Sequence, residues 1–221
     1  MKILDSMNMK GTSYVDAGNP RWANNGLSDS QLRELASRHE VASHTWSHPD
    51  MRRHSMRVVR EELSRSKDYF ENAIRRPVLG LAYPFGQYTD GSARIAKECG
   101  YLFARTTNEG ITTFPPPNPH MWGISVSICD KSLRFLWKMT SRRTILSPLG
   151  RLYATNLAWN WRKLTPRLFK KVQLSNGVLH IFGHASELLR PRLDRIPRGL
   201  SSNNFSRRRL VCDQRNAIRN S

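Results

Sequence analysis

Short apolar or β-branched runs alternate along this chain with longer segments in which apolar residues recur every three or four positions. The runs GTSYV (11–15), EVASH (40–44), VLGLAYPF (78–85), YLFARTT (101–107), GISVSI (123–128) and GVLHIFGH (177–184) have the length and residue types of strands. Between them, LSDSQLRELASRH (27–39) offers Ser28 as a cap ahead of Leu32 and Leu35. SMRVVREELSRSKDYFENAI (55–74) sets Val58, Val59, Leu63, Tyr69, Phe70 and Ile74 along one broad helical face. DGSARIAKECG (90–100) closes on a glycine suited to a helix C-terminus. Such a βα succession predicts the α/β class, a mainly parallel sheet with helices packed outside it. Sites in these folds gather at the C-terminal ends of the strands. His44, Tyr83 and His184 all fall near such ends.

Composition adds a basic surface to this picture. The 221 residues, 38% hydrophobic and 24% charged, suffice for one domain with a core, which excludes disorder throughout. Lys and Arg number 36 against 17 Asp and Glu, a formal charge of +19 that attracts nucleic acid, anionic glycans or lipid headgroups. Residues 190–221 hold nine arginines and two aspartates with little apolar periodicity. They read as a disordered basic tail, a contact for polyanions whose removal is expected to leave the fold of residues 1–189 in place. Cys99, Cys129 and Cys212 are odd in number and far apart, so they read as ordinary reduced thiols. No apolar run approaches the ~20 residues of a membrane span, and the first residues lack the order of a signal peptide. As written, the chain is expected to be soluble and cytoplasmic. Its oligomeric state has no signature in the sequence.

The stretch ASHTWSHPDM (42–51) holds the most specific chemistry. His44 and His48, four apart, would share one side of a helical turn, as a metal-binding pair or as a capped and solvated one. Thr45 and Ser47 between them suit helix-start capping or orientation of the imidazoles equally.

The order ASHTWSHPDM, a long helix, RRPVLGLAYPFGQYTD, AKECGYLFARTT and NGVLHIFGHASEL resembles that of the polysaccharide deacetylases, the NodB-like carbohydrate esterases of family four. The resemblance spans roughly residues 3–189. It implies a deformed (β/α) barrel that binds a divalent metal, usually zinc, and hydrolyses N-acetyl groups on amino-sugar polymers or related non-peptide C–N bonds. His44 and His48 match the family's metal-binding histidines. Tyr83 and Pro84 fall in the motif that forms a wall of the substrate groove, where a backbone N–H could serve an oxyanion. Without that neighbourhood, Pro84 and Gly86 would simply turn the chain out of a strand. His184 matches the histidine that protonates the leaving amine. It is preferred to His180, which alternation puts on the same side but short of the strand's end. Glu187 would orient His184 or open the next helix. His39, His54 and His120 match nothing in the family and are expected at the surface.

Two departures shape the expectation for activity. The family's first strand ends in an aspartate pair, one binding metal and one acting as base. Nothing in this sequence matches it: MKILDSMNMK resembles the helix that follows, and Asp5, Asp16 and Asp50 lie outside the motif. The barrel is therefore expected to be N-terminally incomplete, the zinc weakly held and the hydrolysis impaired. The C-terminal composition likewise departs from the helix and strand the family would continue with. Two other classes stay open. One is a non-catalytic glycan-binding relative. The other is a basic nucleic-acid-binding protein, for which charge alone speaks.

Overall fold

The computed structural model describes residues 2–18, 26–128, 161–184 and 210–213. Local chemistry starts and stops the helices where the pattern directs. Helix α1 spans Lys2–Ser6. Ser28 accepts from the Gln31 N–H while the Gln31 side chain accepts from the Ser28 N–H, a reciprocal cap that opens α2 (Asp29–Arg38). Ser55 caps α3 (Met56–Ile74), which ends on Arg75 in the left-handed conformation. Thr89 and Ser92 form the box that opens α4 (Asp90–Glu98). Along α3, Val59, Leu63, Phe70 and Ile74 are buried, so the predicted apolar face is the face that packs.

Strands β1 (Gly11–Val15), β2 (Glu40–Ser43), β3 (Gly80–Ala82) and β4 (Phe103–Arg105) pair in parallel, and β7 (Leu210–Asp213) completes the order β4-β3-β2-β1-β7. A second parallel pair joins β5 (Val126–Ser127) to β6 (Ile181–Phe182). Trp122 bridges Arg105 at one side of the five-stranded sheet, and β6 lies beside β7 at the other. Among the described residues the two sheets thus form part of a deformed (β/α) arrangement of the expected α/β class. The strands are shorter than the apolar runs. Residues 78–85 supply only three strand positions, because Val78 lends its carbonyl to Lys67 Nζ and its N–H to Glu71, and Pro84 opens a turn.

Helices α2, α3 and α4 cover the sheet through one cluster that includes Leu32, Val41, Leu63, Phe70, Leu81 and Tyr101. A further helix, α5 (Trp161–Leu174), escapes the sequence pattern because Pro166 lies inside it. The helix tolerates the missing N–H, and the Thr165 hydroxyl donates to the Trp161 carbonyl one place earlier. Two surface expectations fail. His39 is buried because its Nδ1 accepts from the Gly11 N–H and its Nε2 meets Asp5 at 3.0 Å. His120 is buried because its Nε2 bonds the Tyr101 carbonyl. His54 is exposed, as expected. Most of residues 190–221 lie outside the described residues, as do Glu187 and Cys129; within that segment, Leu210–Asp213 pairs with β1.

Candidate active site

The histidine stretch is not helical. Strand β2 carries His44 to its end, where the His44 N–H still donates to Val15 O at 2.7 Å. Beyond it the backbone enters the left-handed region twice, at Thr45 (φ 72°) and His48 (φ 61°), where L residues with side chains are strained. Hydroxyls and one carboxylate hold this path. Ser43 Oγ accepts from the Thr45 N–H and Thr45 Oγ1 from the His48 N–H. Glu62, on α3, accepts from the N–H groups of Trp46 and Ser47 and from the Ser47 hydroxyl, at 3.0, 2.8 and 2.6 Å. The result sets the His44 and His48 rings edge to face with centroids 4.7 Å apart. His44 Nδ1 lies 2.7 Å from the Ala82 carbonyl. A carbonyl only accepts, so Nδ1 carries the proton and Nε2 keeps the lone pair.

A cavity of about 250 Å³ opens at these strand ends, its wall including His44, Tyr83, Phe85, Arg105, His180 and His184. Tyr83 is fully committed: its hydroxyl donates to the His120 carbonyl, its ring stacks on Tyr88, and its N–H donates to Arg105 O. Burial holds its phenol well above the ordinary range. Pro84 is buried and starts the tight turn Pro84–Gly86, in which Phe85 (φ 58°) and Gly86 (φ 68°) are both left-handed. Glycine is required at 86, since a β-carbon there would collide with the Thr107 side chain. The turn pushes Phe85 out to 56% exposure, its ring 4.7 Å from that of His48. The Gly86 N–H bonds Tyr83 O.

Both histidines of the last motif line the cavity. His180 is 2% exposed; burial and then the charge of Arg105 hold its imidazole well below the ordinary value, so it is neutral. His184 is half-buried just past β6, edge-on to Phe182. Two residues the sequence reading passed over complete the surroundings. Glu62 is one acid among several on α3. Arg105 closes β4; it stacks 3.5 Å from the Trp122 ring centroid and donates from Nη1 to Gly123 O. Burial lowers its pKa, and the Tyr14 hydroxyl works in the opposite direction.

The imidazole pair fits a divalent metal as two of its ligands, because a backbone carbonyl on Nδ1 is what orients a metal-binding histidine. Among the described residues no group of three potential ligand side chains forms around it. Asp5 is spent on His39. Asp50 caps the turn Met51–Arg53 and pairs with Arg52, whose hydrogen bond holds its carboxyl down to about 2. No helix among the described residues is long and apolar enough to cross a membrane.

The family model for polysaccharide deacetylase matches residues 1–104. The Bacillus subtilis (strain 168) protein YxkH, whose name places it with the polysaccharide deacetylases, is 26% identical over 109 residues, 49% of this chain and 39% of that protein. The Streptococcus pyogenes deacetylase PplD, solved in complex with acetate, is 32% identical over 51% of this chain and 50% of its own, with a TM-score of 0.48. The Bacillus anthracis protein BA0330 is 30% identical over 51% of this chain and 35% of its own, with a TM-score of 0.45. The chain thus spans about two fifths of the length of the curated relative it matches and half or less of these solved chains. Residues 1–104, which contain the histidine pair and the Tyr83–Pro84 turn, are thus similar to the polysaccharide deacetylase family.

Proposed function

We propose that the site binds a divalent metal, zinc by the chemistry of its donors, through His44 and His48, and is built for hydrolysis of N-acetyl groups on an amino-sugar polymer or a related C–N bond. The observation that carries the proposal is the His44–His48 pair at a strand end, with one imidazole fixed by the Ala82 carbonyl and both close to the cavity that His184 lines. A bound metal would supply Lewis-acid polarisation of the acetamide carbonyl. The chain's own residues do the rest. Tyr83 and Pro84 form a rigid wall, exposed Phe85 offers its ring to an apolar sugar face, and His184 donates the proton to the leaving amine.

Because no group of three potential ligand side chains forms among the described residues, the proposal includes weak metal retention and low turnover. The same observation favours the second reading, a protein that holds glycan in this groove without turning it over. Polyanion contact through residues 190–221 remains part of the proposal and lies mostly outside the described residues. The test is calorimetric titration with zinc of the protein and of a His44→Ala/His48→Ala double variant, with acetate release from an N-acetylated chito-oligosaccharide assayed in parallel. Zinc binding should vanish in the double variant; undiminished binding overturns the metal assignment. Oligosaccharide binding with no acetate released at saturating zinc would select the second reading.

A further inference from the structure

The apolar side of helix α5 is spent on the body of the protein. Thr165 and Val172 are buried, and Phe169, on the same side, packs in the cluster around Met9. With about 3.6 residues per turn, Lys163, Arg167, Lys170 and Lys171 fall together in one stripe on the opposite side. All four are exposed. Leu174, the last residue of the helix, lies in the middle of that stripe, one turn beyond Lys170 and Lys171. At 82% exposure it is the most exposed large apolar residue among those described.

Nothing nearby in the sequence offsets the charge. From Lys131 to Ser186 the chain holds eleven Lys and Arg and no Asp or Glu. A convex cationic stripe of this kind attracts a polyanion, and the leucine chooses among polyanions. Nucleic acid or an acidic glycan offers anions to the four cations but nothing to an apolar side chain set between them. An anionic lipid surface accommodates both, with charged headgroups over an apolar layer. The long lysine and arginine stems can lie along such a surface while their charged ends stay among the headgroups.

We propose that the exposed face of α5 docks the protein on an anionic lipid surface, with Lys163, Arg167, Lys170 and Lys171 among the headgroups and Leu174 entering the apolar layer. The contact is shallow and reversible, because the helix keeps its own apolar side on the protein and offers one large apolar side chain. It is independent of the hydrolytic reading above.

The experiment is flotation of the full chain with vesicles of phosphatidylcholine alone and of equal parts phosphatidylcholine and phosphatidylglycerol, at low and at raised sodium chloride. The chain should float with the anionic vesicles only, and salt should release it. Lys163→Gln/Lys170→Gln/Lys171→Gln should weaken binding by at least about tenfold, each cation near the surface contributing roughly fivefold. Arg57→Gln/Arg94→Gln/Lys97→Gln removes the same charge from exposed positions on α3 and α4, and should weaken binding about twofold at most. Leu174→Ser should weaken it about fivefold. Circular dichroism checks each variant; if the α5 triple variant does not fold, the lipid series on the unaltered chain and Leu174→Ser still decide. Equal losses in the two triple variants overturn the proposal, since net charge would then account for the binding. Equal flotation with neutral and anionic vesicles, or none with either, overturns it as well. Vesicle binding that Leu174→Ser leaves unchanged also overturns it, and duplex DNA binding lost with the α5 lysines would then assign the face to nucleic acid.

Discussion

Glu62 accepts three hydrogen bonds from the segment that joins the two histidines, and that segment crosses the left-handed region at Thr45 and at His48. Non-glycine residues held there cost about 1–3 kcal/mol each, so the path persists only while something holds it. Glu62→Ala leaves two N–H groups and a hydroxyl to find water, and the loop can relax toward ordinary backbone angles. Zinc affinity is expected to fall about tenfold, the usual effect of losing a group that orients metal ligands, while the folded structure remains. Zinc calorimetry and circular dichroism on Glu62→Ala and Glu62→Gln measure this, the amide variant falling between the other two. An affinity unchanged in both would show that the loop holds its shape unaided. The histidine pair was legible in the sequence, but its brace was not. Glu62 occupies an unexceptional polar position on α3, and only the fold brings α3 alongside residues 44–48.

At the scale of elements, helices α2, α3 and α4 were readable because their caps and apolar faces are local; Ser28, Ser55 and Thr89 each act within three residues. The strands were readable in place but not in length, since an apolar run continues into buried loops such as Tyr83–Pro84. Strand β7 was not readable at all. Its four residues lie in an arginine-rich context, and its pairing with Gly11–Tyr14 spans almost the whole chain. That pairing has a consequence for stability. Without β7, β1 becomes an edge strand with its N–H and C=O groups unpaired, which invites association with other chains. A chain ending at Arg209 is expected to form concentration-dependent aggregates by light scattering at the temperature where the full chain stays dispersed. Equal dispersity of the two chains would show that β1 does not need this partner.

For the molecule as a whole, the buried histidines set the response to acid. Burial lowers the pKa of His39, against the opposing pull of Asp5, and lowers that of His180 much further. Both groups therefore bind a proton less readily folded than unfolded, where the value is near 6.5. Above about pH 6.5 neither state holds the proton and the contribution to stability is complete. As pH falls below that, the unfolded chain takes up protons first, and stability is lost until the folded values are passed. The Tm of metal-free protein should thus be level above about pH 7 and decline as the pH falls below about 6.5. His180→Gln, which removes the larger of the two shifts, should flatten the decline. A Tm that rises on acidification would contradict the burial of these rings.

What the sequence determined by itself is what short-range chemistry can write: the α/β class, the capped helices, the order of the motifs, and the placement of His44 and His184 near strand ends. Each depends on residues within a turn or two of one another, so the pattern along the chain contains it. Tertiary structure decided the rest. It turned His44 and His48 through left-handed backbone rather than a helix, buried His39 and His120, and added β7 to the sheet. It also drew Arg105 from a strand end into the wall of the cavity. These outcomes depend on partners dozens of residues away, and a hydrogen bond or a buried charge takes its meaning from the partner that folding supplies.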